Sequence, residues 1–392
     1  MNAVAQNICQ DIQPVAEPGT GRVAKGDAVS RIDGPAKVTG MARYAAEHSA
    51  PDMGFGVVVN STIAKGRITE LQLDETRAMP GVLDILSHLH RPKVRKLDLF
   101  YKNMTAPGGL PFKPFHSDGV LYSGQPVAHV LAESFEAARH AASLVRVSYE
   151  QVPHQTDLLA NLSRSHQPAG FKAGFSPPPK PTGDADAAFE AAWVKVQGDY
   201  CSGVEHHNPM EMHASTVIRA DDGHLTIYDK TQSSQNSRWM VSQVFGLGEN
   251  KVTVKNPFVG GAFGSGLRPQ YQLILAVMGA LQLKRSVQVV LTRQQMFIIG
   301  HRPETWHRLK LAADGDGLLR AVVHEAIAET SRIEDYVEVV VNWSGQLYKC
   351  DNVRLDYKLV CLTSTVPLTC APPEGPTACT RWKWRWTSCR MP

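Results

Sequence analysis

Val259-Gly260-Gly261-Ala262-Phe263-Gly264-Ser265-Gly266 sets four glycines around one phenylalanine. Glycine is used where the backbone needs positive φ, or where no side chain may stand between main-chain N–H groups and a ligand. Before this stretch, residues 251–255 alternate as a strand; after it, residues 271–283 read as a buried helix. A glycine loop between a strand and a helix is a candidate cradle for an anion or an oxo group. The two commonest phosphate loops do not fit. No G-x-x-x-x-G-K-[S/T] is present, and G-x-G-x-x-G is absent. Taken alone, the loop also reads as a tight strand-to-helix turn.

Working outward, Leu225 to Asp229 reads as a strand ending in Thr231-Gln232, followed by a helix-like run from Asn236 to Phe245. Asp221-Asp222-Gly223 turns a preceding strand, residues 215–220, into it as a hairpin. Further back, Ile68 to Leu73, Val82 to Leu86, Val127 to Leu131 and Val145 to Tyr149 read as strands. Helices at Asp74 to Met79 and Phe135 to Leu144 make two strand-helix-strand units, which suit a compact α/β module. Between Ser163 and Asp184, Pro168, Pro177, Pro178, Pro179 and Pro181 favour an extended connector. A helix at Asp186 to Ala192 and a strand at Val194 to Tyr200 follow it. The fold class expected is mixed α/β, of the α+β kind.

Composition narrows the function. At 392 residues with 43% hydrophobic content, the chain can bury more than one core. No apolar run approaches the ~20 residues that span a bilayer, and residues 1–20 lack the apolar centre of a secretory signal. The net charge of +4 sits mostly at the end: residues 361–392 carry +3, through Arg381, Lys383, Arg385 and Arg390 against Glu374. The body has no basic excess calling for nucleic acid. Cys361, Cys370, Cys379 and Cys389 lack C-x-x-C spacing, and Cys9, Cys201 and Cys350 read as isolated small apolar residues.

Four motifs in order carry a family resemblance. They are Arg31, Asp33, Lys37, Val38, Thr39, Gly40, Ala42 and Tyr44, on composition a polar loop entering a strand; Gly124-Gln125-Pro126-Val127-Ala128 with Val147-Ser148-Tyr149-Glu150; His207-Asn208-Pro209-Met210-Glu211; and strand, Thr-Gln, helix, strand, Gly-Gly-x-Phe-Gly, helix. The chain resembles the molybdenum-binding subunit of the xanthine dehydrogenase and aldehyde oxidase family, near its bacterial aldehyde-oxidising branch. Met212 departs from that pattern, standing where proline is usual. The resemblance implies a flexible segment over 1–30, a hammerhead-type α/β domain over 31–155, a linker over 156–184 and an incomplete first molybdopterin-binding domain over 185–360.

The resemblance further implies molybdenum held by molybdopterin, in its cytosine dinucleotide form. Members oxidise an aldehyde or N-heterocycle with water-derived oxygen and pass electrons to a 2Fe-2S subunit and an FAD subunit. By the same resemblance Gln232 donates from its amide toward an oxo ligand of the metal. Phe263 and Gly264 offer backbone N–H groups to that region, while Gly260, Gly261 and Ala262 let the chain come close. Leu267 stands where purine-oxidising members carry a carboxylate, which argues for an aldehyde. No nucleic acid or membrane partner is expected. The compartment stays open, cytoplasmic or reached with a signal-bearing partner.

Several residues invite other readings. Asp314-x-Asp316-Gly317 mimics the start of a calcium loop but lacks its closing glutamate, so a hairpin turn is expected. His206, His207 and His213 look like metal ligands, yet no H-E-x-x-H accompanies them, and a polar segment beside a large cofactor suits them better. His301 and His307, on an expected helix edge, suit structural hydrogen bonds. The competing class is a non-catalytic interaction module with a basic, Trp-rich tail, Trp382, Trp384 and Trp386 alternating with Arg381, Lys383 and Arg385.

That tail, residues 361–392, is expected to be foreign to the family. Shifting the coding frame by one base permits Leu-Glu-Val-Ala-Met-Asp from the Trp-rich run, and D-M-R-A-P-G from the stretch Leu368 to Gly375. A frameshift near Val360 is therefore expected, with the family's glutamate base lying in the half not encoded and the chain inactive alone. The gene's nucleotide sequence tests this: a one-base correction should open a long family-like frame, and a frame open only as written would contradict it.

Overall fold

The computed structural model describes residues 30–102, 108–109, 111–168, 177–337 and 340–367. The Trp-rich tail and Cys9, Cys370, Cys379 and Cys389 lie outside the described residues. The described residues divide into two units, one ending at Arg43 and the other beginning at Tyr44. In the first, Asp33 accepts an ion pair from Lys37 at 2.6 Å and another from Arg31 at 2.9 Å. The intervening residues coil into a short helix, Gly34–Val38, closed by Thr39 Oγ1 donating to the Pro35 carbonyl at 2.7 Å. The sequence reading of a polar loop entering a strand is corrected here: the Asp33–Lys37 pair at i,i+4 spacing favours a helical turn.

In the second unit the strands longer than two residues are β1 Gly54–Asn60, β2 Gly66–Gln72, β3 Val82–Ser87, β4 Pro126–Ala132, β5 Arg146–Gln151, β6 Val194–Ser202 and β7 Ala214–Arg219. They continue as β8 Leu225–Asp229, β9 Val252–Lys255, β10 Val287–Val290, β11 Thr305–Ala313, β12 Leu319–Ser331 and β13 Val353–Leu362. The longer helices are α1 Phe135–Leu144, α2 Ser234–Phe245 and α3 Tyr271–Leu283. Among the described residues, seven strands form one sheet in the order β9-β8-β7-β10-β1-β4-β3. β1 pairs parallel with β10 and antiparallel with β4.

The compact module expected from residues 68–149 is therefore divided. Its strands β3 and β4 extend a sheet begun by residues 214–290, while β2 and β5 pair in another sheet. Burial explains the merger. Every residue of β4 is buried, so it needs cover on both faces and neighbours on both edges. The helix α3 is buried from Tyr271 through Ala280, and a helix apolar all round must lie inside. A third group of strands, β13-β12-β11-β6, forms a separate sheet. The Asp314 turn joins β11 to β12, with Asp314 Oδ1 accepting from the Asp316 and Leu318 N–H groups. His301 and His307 lie on strands, not on a helix edge: His301 pairs with His206 in a separate two-stranded ladder, and His307 lies in β11.

β8 and β9 run parallel, with Leu225 opposite Val252 and Tyr228 opposite Lys255. Their carboxyl ends lie side by side, and α2 is the crossover between them. In α/β sheets the carboxyl ends of parallel strands are where ligands bind. Lys230-Thr231-Gln232 leaves one end, and the glycine loop leaves the other. Among the described residues no helix is long and apolar enough to cross a membrane.

Candidate cofactor site

The two strand ends are stitched together by backbone and side chain. The Gln232 N–H donates to the Gly266 carbonyl at 2.8 Å, and Asn256 Nδ2 donates to the Thr231 carbonyl at 2.7 Å. The N–H groups of Gly264 and Gly266 both donate to Gln232 Oε1, each at 3.2 Å. Two N–H donors can be received only by the amide oxygen, so the Gln232 amide nitrogen is turned the other way. That nitrogen makes no hydrogen bond among the described residues, and Gln232 is exposed.

At its other end the loop is pinned by Glu211. Glu211 Oε2 accepts from the Gly260 N–H at 2.7 Å, while the Glu211 N–H donates to the Gly260 carbonyl at 3.2 Å. A Cβ at Gly260 would stand 2.7 Å from the Glu211 Cβ, so only glycine permits this contact. Burial raises the Glu211 carboxyl, opposed by the N–H donors of Gly260 and Ala45.

Between the two pins the chain reverses repeatedly. Gly261, Phe263 and Gly264 have φ of 88°, 54° and 101°. Positive φ is costly for phenylalanine and persists only where neighbours fix it. Here Ser265 donates from both N and Oγ to the Ala262 carbonyl, and the Leu267 N–H donates to the Gly264 carbonyl. As a result three consecutive N–H groups, those of Gly261, Ala262 and Phe263, have no partner among the described residues. Successive unpaired N–H groups of this kind are able to receive an anion. The sequence reading gave Phe263 and Gly264 as the outward donors. The Gly264 N–H instead turns inward onto Gln232, because that amide needs two donors to fix it.

Beneath the loop lies a buried polar cluster that sequence inspection did not find. Lys230 Nζ stands 3.2 Å from His213 Nε2 and 3.5 Å from Ser265 Oγ, and His213 Nε2 is 3.0 Å from Ser265 Oγ. All three residues are buried. Burial holds Lys230 down to about 8 and His213 well below the usual imidazole range, so His213 is neutral and accepts from the lysine. Asp229 takes Ser215 Oγ at 2.6 Å and Ser237 Oγ at 2.8 Å, yet burial lifts its carboxyl to about 6. Adjacent charged residues at a strand end usually lie in water, so no periodicity signals that Asp229 and Lys230 are inside.

His206, His207 and His213 do not gather as a three-ligand group among the described residues. His206 packs on Phe297 and His301. His301 bonds Glu329 and Thr365, and His307 bonds His324 and Thr305, all structural contacts. Cys201 is exposed on β6 rather than packed as a small apolar side chain. Past the loop, Arg268 to Tyr271 line a cavity of about 100 Å³ shared with Tyr101, Phe112 and Tyr122. Arg268 reaches across it to the buried Glu334 at 2.6 Å.

Two family models match this chain: a molybdopterin cofactor-binding domain over residues 172–371, and the a/b hammerhead domain of aldehyde oxidase and xanthine dehydrogenase over residues 39–153. The chain belongs to the aldehyde oxidase and xanthine dehydrogenase family. It is 34% identical to the aldehyde oxidoreductase molybdenum-binding subunit PaoC of Escherichia coli K12 over 76% of its own length, but spans only 39% of that relative. The nicotinate dehydrogenase large molybdopterin subunit of Eubacterium barkeri is 27% identical over 84% of this chain and 77% of its own. In fold the chain is similar to the aldehyde oxidoreductase of Desulfovibrio gigas, with a TM-score of 0.77 at 23% identity, over 92% of this chain and 42% of that one.

The buried Asp229 sets a pH test. Its folded pKa of about 6 exceeds the ordinary 3.8, so the folded state binds the extra proton. The stability this gives is present below about pH 4 and lost as pH rises through 6, by at most about 3 kcal/mol. Asp229→Asn keeps one serine donating to Oδ1, reverses the other contact so that Nδ2 donates to a serine oxygen, and removes the titration. Urea unfolding at pH 4.5 and 6.5 should show the variant gaining on the wild type at the higher pH, and a constant difference would contradict the assignment.

Proposed function

We propose that this chain forms the glycine-loop wall of a molybdopterin site in a molybdenum hydroxylase acting on an aldehyde or N-heterocycle. The observation carrying the reading is the run of free N–H groups at Gly261, Ala262 and Phe263, set beside the outward amide of Gln232. These donors suit an anionic, oxo-bearing group. When bound, molybdenum with its pterin supplies the redox chemistry, by which an electron-poor carbon gains a water-derived oxygen and gives up its hydrogen as two electrons and one proton, the second proton coming from the water.

The residues present do the rest by position. Gln232 donates from a neutral amide, which orients an acceptor without giving it a proton. Gly261 to Phe263 offer preorganised backbone donors, and losing one such donor typically costs ~3 kcal/mol of transition-state stabilisation. Glu211 and the Lys230–His213–Ser265 cluster hold the loop from beneath. Leu267, exposed after the loop, offers no carboxylate and favours an aldehyde over a purine. The cytosine dinucleotide form of the cofactor, and 2Fe-2S and FAD subunits as electron acceptors, complete the reading. The glutamate base implied by the family has no counterpart assigned in the matched residues.

Gly261→Val tests the site without relying on turnover. At φ 88° a β-branched side chain is strained, and its Cβ would press on Pro209 at 3.3 Å. The protein should be isolated from a molybdopterin-making host, with the iron–sulfur and flavin subunits co-produced. The wild type should then carry molybdenum and pterin, and the variant at least tenfold less with an unchanged circular dichroism spectrum. Equal pterin in the two, or pterin in neither, would overturn the reading.

A further inference from the structure

Three segments that take no part in the glycine loop converge on one face of the β13-β12-β11-β6 sheet. His166 follows a helical turn, Leu159–Arg164, and exchanges both backbone hydrogen bonds with Leu359 of β13, each at 2.9 Å. Directly opposed residues share a face, and so do residues two apart on a strand. The side chains of His166 and Cys361 therefore project together. Cys361 lies inside β13 and within the family-matched residues 172–371, upstream of any foreign tail, and is opposite Thr330 on β12. Thr330 Oγ1 accepts from the Tyr336 N–H at 2.8 Å and donates to the Glu334 carbonyl at 3.4 Å, folding the chain back so that Asp335 lies over Cys361.

The outcome is a nitrogen, a carboxylate oxygen and a sulfur all within 4.8 Å of one another. Asp335 and Cys361 are half-buried, while His166 is exposed and its ring has no partner among the described residues. Ligand atoms around a tetrahedral zinc, at about 2.0 Å for N and O and 2.3 Å for S, stand roughly 3.3–3.6 Å apart. Side-chain rotations of about 1 Å close the difference. Mixed N, O and S donors suit zinc rather than calcium or magnesium, which prefer all-oxygen sets.

We propose that His166, Asp335 and Cys361 bind one zinc ion, with water in the fourth position. Binding takes the thiol proton into solvent and leaves the thiolate on the metal, with no redox change. The ion fastens the connector after residue 155 to β13 and to the turn after β12. It is independent of the molybdopterin reading, because none of its ligands belongs to the loop or its supports.

Cobalt titration of the metal-free full chain tests this, since thiolate ligation to Co²⁺ gives a near-ultraviolet charge-transfer band. The wild type should develop that band at one equivalent and lose it on zinc addition. Cys361→Ser should abolish it. His166→Ala, at an exposed position that leaves the fold intact, should weaken cobalt binding at least about tenfold. No band in the wild type, a band that survives Cys361→Ser, or unchanged affinity in His166→Ala would each overturn the site.

Discussion

The two hydrogen bonds from Gly264 and Gly266 to the side-chain oxygen of Gln232 are the constraint on which the site depends. They tie the carboxyl end of β8 to the loop following β9, and they settle which way the amide faces. An exposed glutamine normally samples many rotamers; this one has its oxygen occupied from behind. Its donors are therefore presented outward at little further entropic cost. The loop gains in return, because its strained turns at Gly261, Phe263 and Gly264 are held between this clamp and the Glu211 clamp at Gly260.

Charge beneath the loop adds a second layer. Asp229 and Lys230 are consecutive, buried and separately satisfied, the carboxylate by two serines and the ammonium by His213 and Ser265. Removing a partner from such a group leaves a buried charge uncompensated, which is far more costly than the interaction is worth. The lysine also places a positive charge under a run of N–H groups, the sign that an anionic ligand requires. Thus the packing that makes the strand end rigid also fixes its electrostatic character.

Local elements were legible in the sequence to the extent that local physics fixes them. α1 and α3 lie at the residues expected, α1 because Ser134 caps it by accepting from the Ala137 N–H, and α3 because its apolar run has no polar face. The order of Thr-Gln, helix, strand and glycine loop was equally plain. What the chain did not disclose is pairing at long range. β1 was not recognised, though it joins β4 to β10, because its side chains Phe55, Val57, Val58 and Val59 lack clean alternation. Nor did it disclose that Glu211 meets Gly260 across 49 residues, or that Asp229 and Lys230 turn inside. These depend on which surfaces meet, and no window of sequence holds that information.

Amide hydrogen exchange through residues 258–268 of the free chain tests the central claim most directly. The N–H groups of Gly260, Gly264 and Gly266 should be protected by Glu211 and Gln232, while those of Gly261, Ala262 and Phe263 exchange far faster. Uniform exchange through the loop, or protection of residues 261–263 in place of their neighbours, would contradict the account.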